Sequence, residues 1–257
     1  MLRIRSLACF FILFTFLYSC TNDGSDDDTG IDKTANLKSL GSSANDLLSD
    51  ERFTSMNIEI VYVNGYAPTT EALAEFKSFL ESRVYKPDGI QITLRSVASS
   101  GQAPFEIDEI VEIEKEHRSA YNAGDEIAVF IYFADGSNEK DEDNRFVLGS
   151  AFRNTSMVIY GKTIKDFSNR SGSPERSEIE AAVLNHEFGH LFGLVDLGTE
   201  QQSDHKDDDN EGHCNVSGCL MQASIEFGGG IVDVIEGGQV PGLDDQCILD
   251  LQVNGGK

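Results

Sequence analysis

Apolar and polar positions alternate over residues 56–63, a run rich in Ile and Val, and that period of two predicts a strand. The period then changes. Leu73, Phe76, Phe79 and Leu80 share one face of a helix expected over residues 69–84, with Thr69 or Thr70 as its cap. Residues 90–97 alternate again, 107–121 return to helical spacing, and 126–133 form a strongly apolar third strand. This β-α-β-α-β order predicts a mainly parallel sheet. Two further apolar runs, 146–152 and 156–160, are expected at a sheet edge, which makes the fold α/β (α+β) with a mixed five-stranded sheet. The acidic stretch 135–144, which separates them from the third strand, lacks the spacing of a calcium loop and reads as a solvated turn.

The ends of the chain behave differently from this core. Arg3 and Arg5 precede an apolar run over residues 7–18 that is too short to cross a bilayer and stops at Ser19 and Cys20. Residues 1–19 therefore read as an export leader. Residues 20–54 begin with a polar, acidic stretch and carry little apolar periodicity, so a flexible tether is expected there, with one folded domain over 55–257. A hydrophobic share of 40% over 257 residues is enough for one sizeable core. Lys and Arg number 20 against 44 Asp and Glu, a formal charge of -24 that repels phosphate backbones and excludes nucleic acid as a partner.

The candidate chemistry lies in one helix. Ser177 and Glu180 have capping-box spacing, and the helix they predict carries His186, Glu187 and His190. Imidazoles at i and i+4 on one face reach a single metal ion, and Glu187 lies beside them rather than behind. Zinc held by three protein ligands keeps a position for water and lowers its pKa to about 7, and a nearby carboxylate can take the proton. Glu187 has the position of that general base.

The run from His186 through Gly193 to Asp196 resembles the metzincins, whose motif continues His-x-x-Gly-x-x-His or Asp and is followed by a methionine turn. His213, Cys214, Cys219 and Met221 resemble the His-Cys-x4-Cys-x-Met stretch of archaemetzincins, which makes Met221 the turn methionine. The resemblance implies a zincin-like fold with an active-site helix, a small irregular C-terminal subdomain, and a zinc-dependent metallopeptidase activity on protein or peptide substrates. It also implies an antiparallel edge strand above the site that binds extended substrate, for which residues 146–152 are the candidate.

The third metal ligand is open among His213, Asp196 and His205. His213 is favoured because neutral imidazole suits zinc and its neighbours match the family's stretch, and leishmanolysin-like metzincins likewise insert residues before their third His. Asp196 has the direct spacing, with a supporting role at the helix end as its other reading, and His205 sits in an acidic run that reads as an exposed loop. The family's later Cys-x-x-Cys pair is missing, since only Cys247 follows, so its second, structural zinc does not carry over. In an oxidising compartment Cys214 and Cys219 could pair as a disulfide, with Cys219 and Cys247 as the competing pair.

Residues 17–20 resemble a bacterial lipobox, which implies a lipid on Cys20 as the membrane anchor. The acidic residues behind it resemble the surface-export signal of Bacteroidetes lipoproteins and imply a cell-envelope protein on the outer membrane, exposed at its surface. A rival expectation is a surface lipoprotein that binds a partner through a structural or inactive metal site.

Overall fold

The computed structural model describes residues 32–257 apart from 143, 144, 229 and 236. The leader and Cys20 lie outside the described residues.

The core is a five-stranded mixed sheet in the order β2-β1-β3-β5-β4. Strand β1 (Ser55–Val63) pairs in parallel with β2 (Gly89–Val97) and with β3 (Glu126–Phe133), and β3 pairs in parallel with β5 (Ser156–Ile159). Only β4 (Gly149–Arg153) runs against its neighbour, β5, and it forms one edge of the sheet. β3 sits in the middle and is buried along nearly its whole length, as its continuous apolar run requires. β2, at the other edge, is mostly exposed.

Helices α2 (Thr70–Arg83) and α3 (Ile107–His117) make the two crossovers, and α4 (Gly161–Ser168) follows β5. Thr69 caps α2 as its position suggests, its hydroxyl accepting from Ala72 N. Helix α5 (Arg176–Leu191) is the long buried helix of the protein. Its capping box is formed by Glu175 and Glu178, not by Ser177 and Glu180, because the same three-residue spacing occurs twice and the chain uses the earlier one. Glu180 is left free for a buried role. It accepts from Thr69 N and Oγ1, each at 2.8 Å, and from Arg176 Nε at 2.7 Å, tying α5 to the start of α2. Phe188 of α5 meets Phe76 of α2 edge to face at 5.4 Å. Beyond α5 the chain is mostly turns, with α6 (Ala223–Glu226), α7 (Ile231–Val234) and α8 (Asp245–Val253).

The folded part begins well before residue 55, in what reads by sequence as tether. A 3₁₀ turn (Lys33–Asn36) and α1 (Ala44–Leu48) pack on the body, with Leu47 and Leu48 fully buried in the main core. Asn36 donates to Ala128 O (2.9 Å) and Thr155 Oγ1 (3.1 Å), and the buried Lys86 ammonium donates to the carbonyls of Asp46, Ser49 and Phe53. No helix among the described residues is long and apolar enough to cross a membrane.

Candidate metal centres and the edge strand beside them

Helical spacing places His186, Glu187 and His190 together near the C-terminal end of α5, and all three are buried. After the helix the chain turns at Gly193, whose φ of +72° and close approach to Thr199 N admit no Cβ. Val195 and Asp196 also have positive φ, and this left-handed corner sends Asp196 outward. Its side chain is 58% exposed and pairs with Lys206 at 3.1 Å. Asp196 is therefore not brought to the histidines.

His213 is brought to them. The segment after Gly193 doubles back so that Lys206 and Cys214 form an antiparallel bridge, with Asp207 N donating to His213 O (2.8 Å) and Asn215 N to His205 O (2.9 Å). The side-chain ligand atoms of His186, His190, His213 and a fourth residue, Glu226, all lie within 4.8 Å of one another.

Hydrogen bonds show which nitrogens are free. His186 Nδ1 faces Leu220 O at 2.7 Å and His213 Nδ1 faces Glu211 O at 3.0 Å; a carbonyl only accepts, so both Nδ1 atoms carry the proton. Both Nε2 atoms then present lone pairs. His186 Nε2 and His190 Nε2 are 3.1 Å apart, close to the separation of about 3.3 Å set by two Zn–N bonds of about 2.0–2.1 Å in a tetrahedron. Burial, reinforced by His213, pushes the His186 pKa down to about 3, and burial and the same neighbours hold His190 well below the ordinary value. Neutral imidazoles with converging lone pairs suit a metal ion.

Glu187 does not join the ligand atoms. Its Oε2 accepts from Ala151 N of β4 at 2.8 Å, while its Oε1 is buried with no hydrogen-bond partner. Burial, with Glu226 adding charge repulsion, raises its pKa well above the ordinary carboxylate value. Gly149 makes room for this side chain, since a Cβ there would stand 2.7 Å from Glu187 Cγ. Beneath the histidines, Met221 is fully buried against Gly189 of α5.

A search against protein-family models and curated proteins gives no match.

The edge segment is shorter than expected. Residues 146–148 do not extend β4; they pair with the stretch after α6, through Leu148 N to Glu226 O (2.8 Å) and Gly228 N to Phe146 O (2.9 Å). A cleft of about 150 Å³ lies over Glu187, His190 and His213, walled on one side by Leu40 of the N-terminal segment. A second groove, of about 440 Å³, runs beside Val147, Ser150 and Phe152, and Ser150, Ala151 and Glu226 line both.

A second buried group that could hold a metal ion comprises His205, Cys214, Asp244 and Cys247. Cys214, Cys219 and Cys247 are free thiols, so neither expected disulfide is present, and Cys219 Sγ lies 3.7 Å from Cys247 Sγ. His205 is fully buried rather than in an exposed loop. Its Nε2 donates to the buried Asp250 carboxylate at 2.7 Å, leaving Nδ1 facing Cys214 Sγ (3.4 Å) and Cys247 Sγ (3.8 Å). A carboxylate bonded to one ring nitrogen is what fixes the tautomer of a metal-binding imidazole, and here it leaves the other nitrogen free beside two sulfurs. Hydrogen bonds from Cys219 and Cys247, and from His205, hold the Cys214 thiol well below its ordinary pKa.

Proposed function

We propose that the protein is a zinc-dependent metalloendopeptidase of the metzincin type. The observation that carries this reading is the convergence of three buried histidines, two of them with Nε2 lone pairs fixed by their Nδ1 hydrogen bonds, beside a buried carboxylate that does not join them. His186, His190 and His213 would hold the ion, whose chemistry is to polarise the scissile carbonyl and acidify a water to a pKa of about 7. Glu187 would serve as general base and then general acid, taking a proton from water and passing it to the leaving amine. The bond from Ala151 N fixes one carboxylate oxygen and leaves Oε1 free for the proton. Substrate lies extended along β4, whose outer edge has backbone groups to offer it.

The cysteine and histidine cluster fits a structural zinc held by His205, Cys214, Asp244 and Cys247, a closed ligand set with no position for water. The leader and Cys20 make the protein a lipid-anchored component of the cell envelope, on the outer membrane and facing outward. Its partners are then protein or peptide substrates. Glu226 favours a second reading, a binding lipoprotein whose histidine site is closed by a fourth protein ligand.

Incubation of the zinc-loaded mature protein with an unbiased peptide library, followed by mass spectrometry, separates the two. Internal cleavage that stops on chelation and returns with zinc supports the peptidase. No cleavage by a protein carrying zinc at the histidine site favours the binding module.

A further inference from the structure

His213 Nε2 and Glu226 Oε2 are 2.9 Å apart, yet the pair has no hydrogen-bond geometry and Nε2 is left without a partner. With the His213 proton on Nδ1, engaged by Glu211 O, Nε2 carries a lone pair, and the carboxylate oxygen stands beside its axis rather than on it. Two electron-rich atoms at that separation repel unless a cation lies between them. The distance matches an edge of the same tetrahedron that His186 and His190 define, and carboxylate oxygen is a normal zinc ligand at about 2.0–2.2 Å. Glu226 thus stands where the fourth ligand of the histidine site belongs.

Its surroundings show that it has a way out. The Glu226 side chain is 18% exposed, against 6% for His213, and lines both the small cleft and the larger groove. It ends a helix of four residues, so little secondary structure holds it in place. Its own carbonyl accepts from Leu148 N just before β4, the strand along which substrate would lie.

We propose that Glu226 is a displaceable fourth ligand: its carboxylate fills the open position of the histidine site when no substrate is bound and yields it when substrate enters along β4. This rests on reading the histidines as a zinc site. A closed resting site and an active enzyme are then two states of one centre, and the carboxylate competes with any group that needs the open position.

Calorimetric titration of acetohydroxamate, a small bidentate zinc ligand, into the zinc-loaded protein tests this alongside zinc affinity at the histidine site. If the carboxylate holds the position nine-tenths of the time, its removal raises hydroxamate affinity about 10-fold. Glu226→Ala, and Glu226→Gln as the variant that keeps side-chain size, should bind hydroxamate more tightly and zinc more weakly. Opposite signs are the signature, because local disorder would weaken both. Unchanged or weaker hydroxamate binding in the variants overturns the proposal. So does a parent that binds none while the variants do, which would make Glu226 a fixed ligand. A parent with no zinc removable by His186→Ala instead sinks the zinc-site reading, and this proposal with it.

Discussion

Met221 lays its thioether directly on Gly189: the sulfur stands 2.3 Å from where a Cβ on that glycine would be. Met221 and the C-terminal end of α5 are therefore packed with no room for a methyl group, one turn from His186 and beside His190. Gly189→Ala should cost about 1–3 kcal/mol through overpacking. Thermal unfolding of the single variant, of Met221→Ala and of the double variant checks this, and the double variant should recover part of the loss. Additive losses would show that the contact is not the cause.

Glu187→Ala should retain zinc and lose peptidase activity by a factor of about 10² to 10⁴, the usual worth of a positioned general base. Zinc content and peptide cleavage, measured on one preparation, give both numbers. Parental activity in the variant would remove Glu187 from the mechanism.

His213→Ala should weaken zinc binding far more than Asp196→Asn, because His213 Nε2 lies among the ligand atoms whereas Asp196 is exposed and paired with Lys206. Exposed pairs of that kind contribute about 0–1 kcal/mol, so Asp196→Asn should leave affinity and stability near the parent. Competition titration against a zinc chelator ranks them, and the reverse order would return the third-ligand role to Asp196.

Two zinc ions per chain are expected by elemental analysis, falling to one in Cys214→Ser and in His205→Ala. At free zinc 100-fold above the dissociation constant, binding contributes about 2.7 kcal/mol, which corresponds to about 5–10 °C in Tm for a domain of this size. Chelator should lower Tm by at least that much. A Cys214→Ser variant that keeps both ions would disprove the thiolate site.

Lys86→Met should destabilise the protein by about 1–3 kcal/mol, since it leaves the buried-side carbonyls of Asp46, Ser49 and Phe53 without their donor. Urea unfolding measures it. An unaffected midpoint would mean that these carbonyls reach water in the native protein.

What was legible in the sequence depended on how local the cause is. β3 matches its expected bounds because eight consecutive residues report their own burial. The helix carrying His186 and His190 was equally plain, since both its period and its ligand spacing lie within one element. The folding of residues 32–54 was not, because what orders them is distant in the chain: Asn36 finds Ala128 and Thr155, and Lys86 reaches back to α1. His205 was hidden by its acidic neighbours, although an Asp on α8, Asp250, and two thiols draw it inside. Glu226 has no motif around it; only the pairing of residues 146–148 with the stretch after Met221 brings it to the histidines. Residues 146–152 read as one strand because Phe146, Val147 and Leu148 are as apolar as β4, but Phe146 and Val147 pair with residues 227–228, and Leu148 is shared between Glu226 and Tyr160.

His213 and Cys214 are consecutive, and in an extended segment successive side chains point to opposite sides. One peptide unit thus forms the partition between the two centres. Anchoring the Cys214 sulfur fixes the orientation of the imidazole before it, so the cleft borrows stiffness from a cluster on the other side of the chain. The long path from Gly193 to His213 adds reach without adding slack, because the same stretch delivers His205 to the far side of the partition.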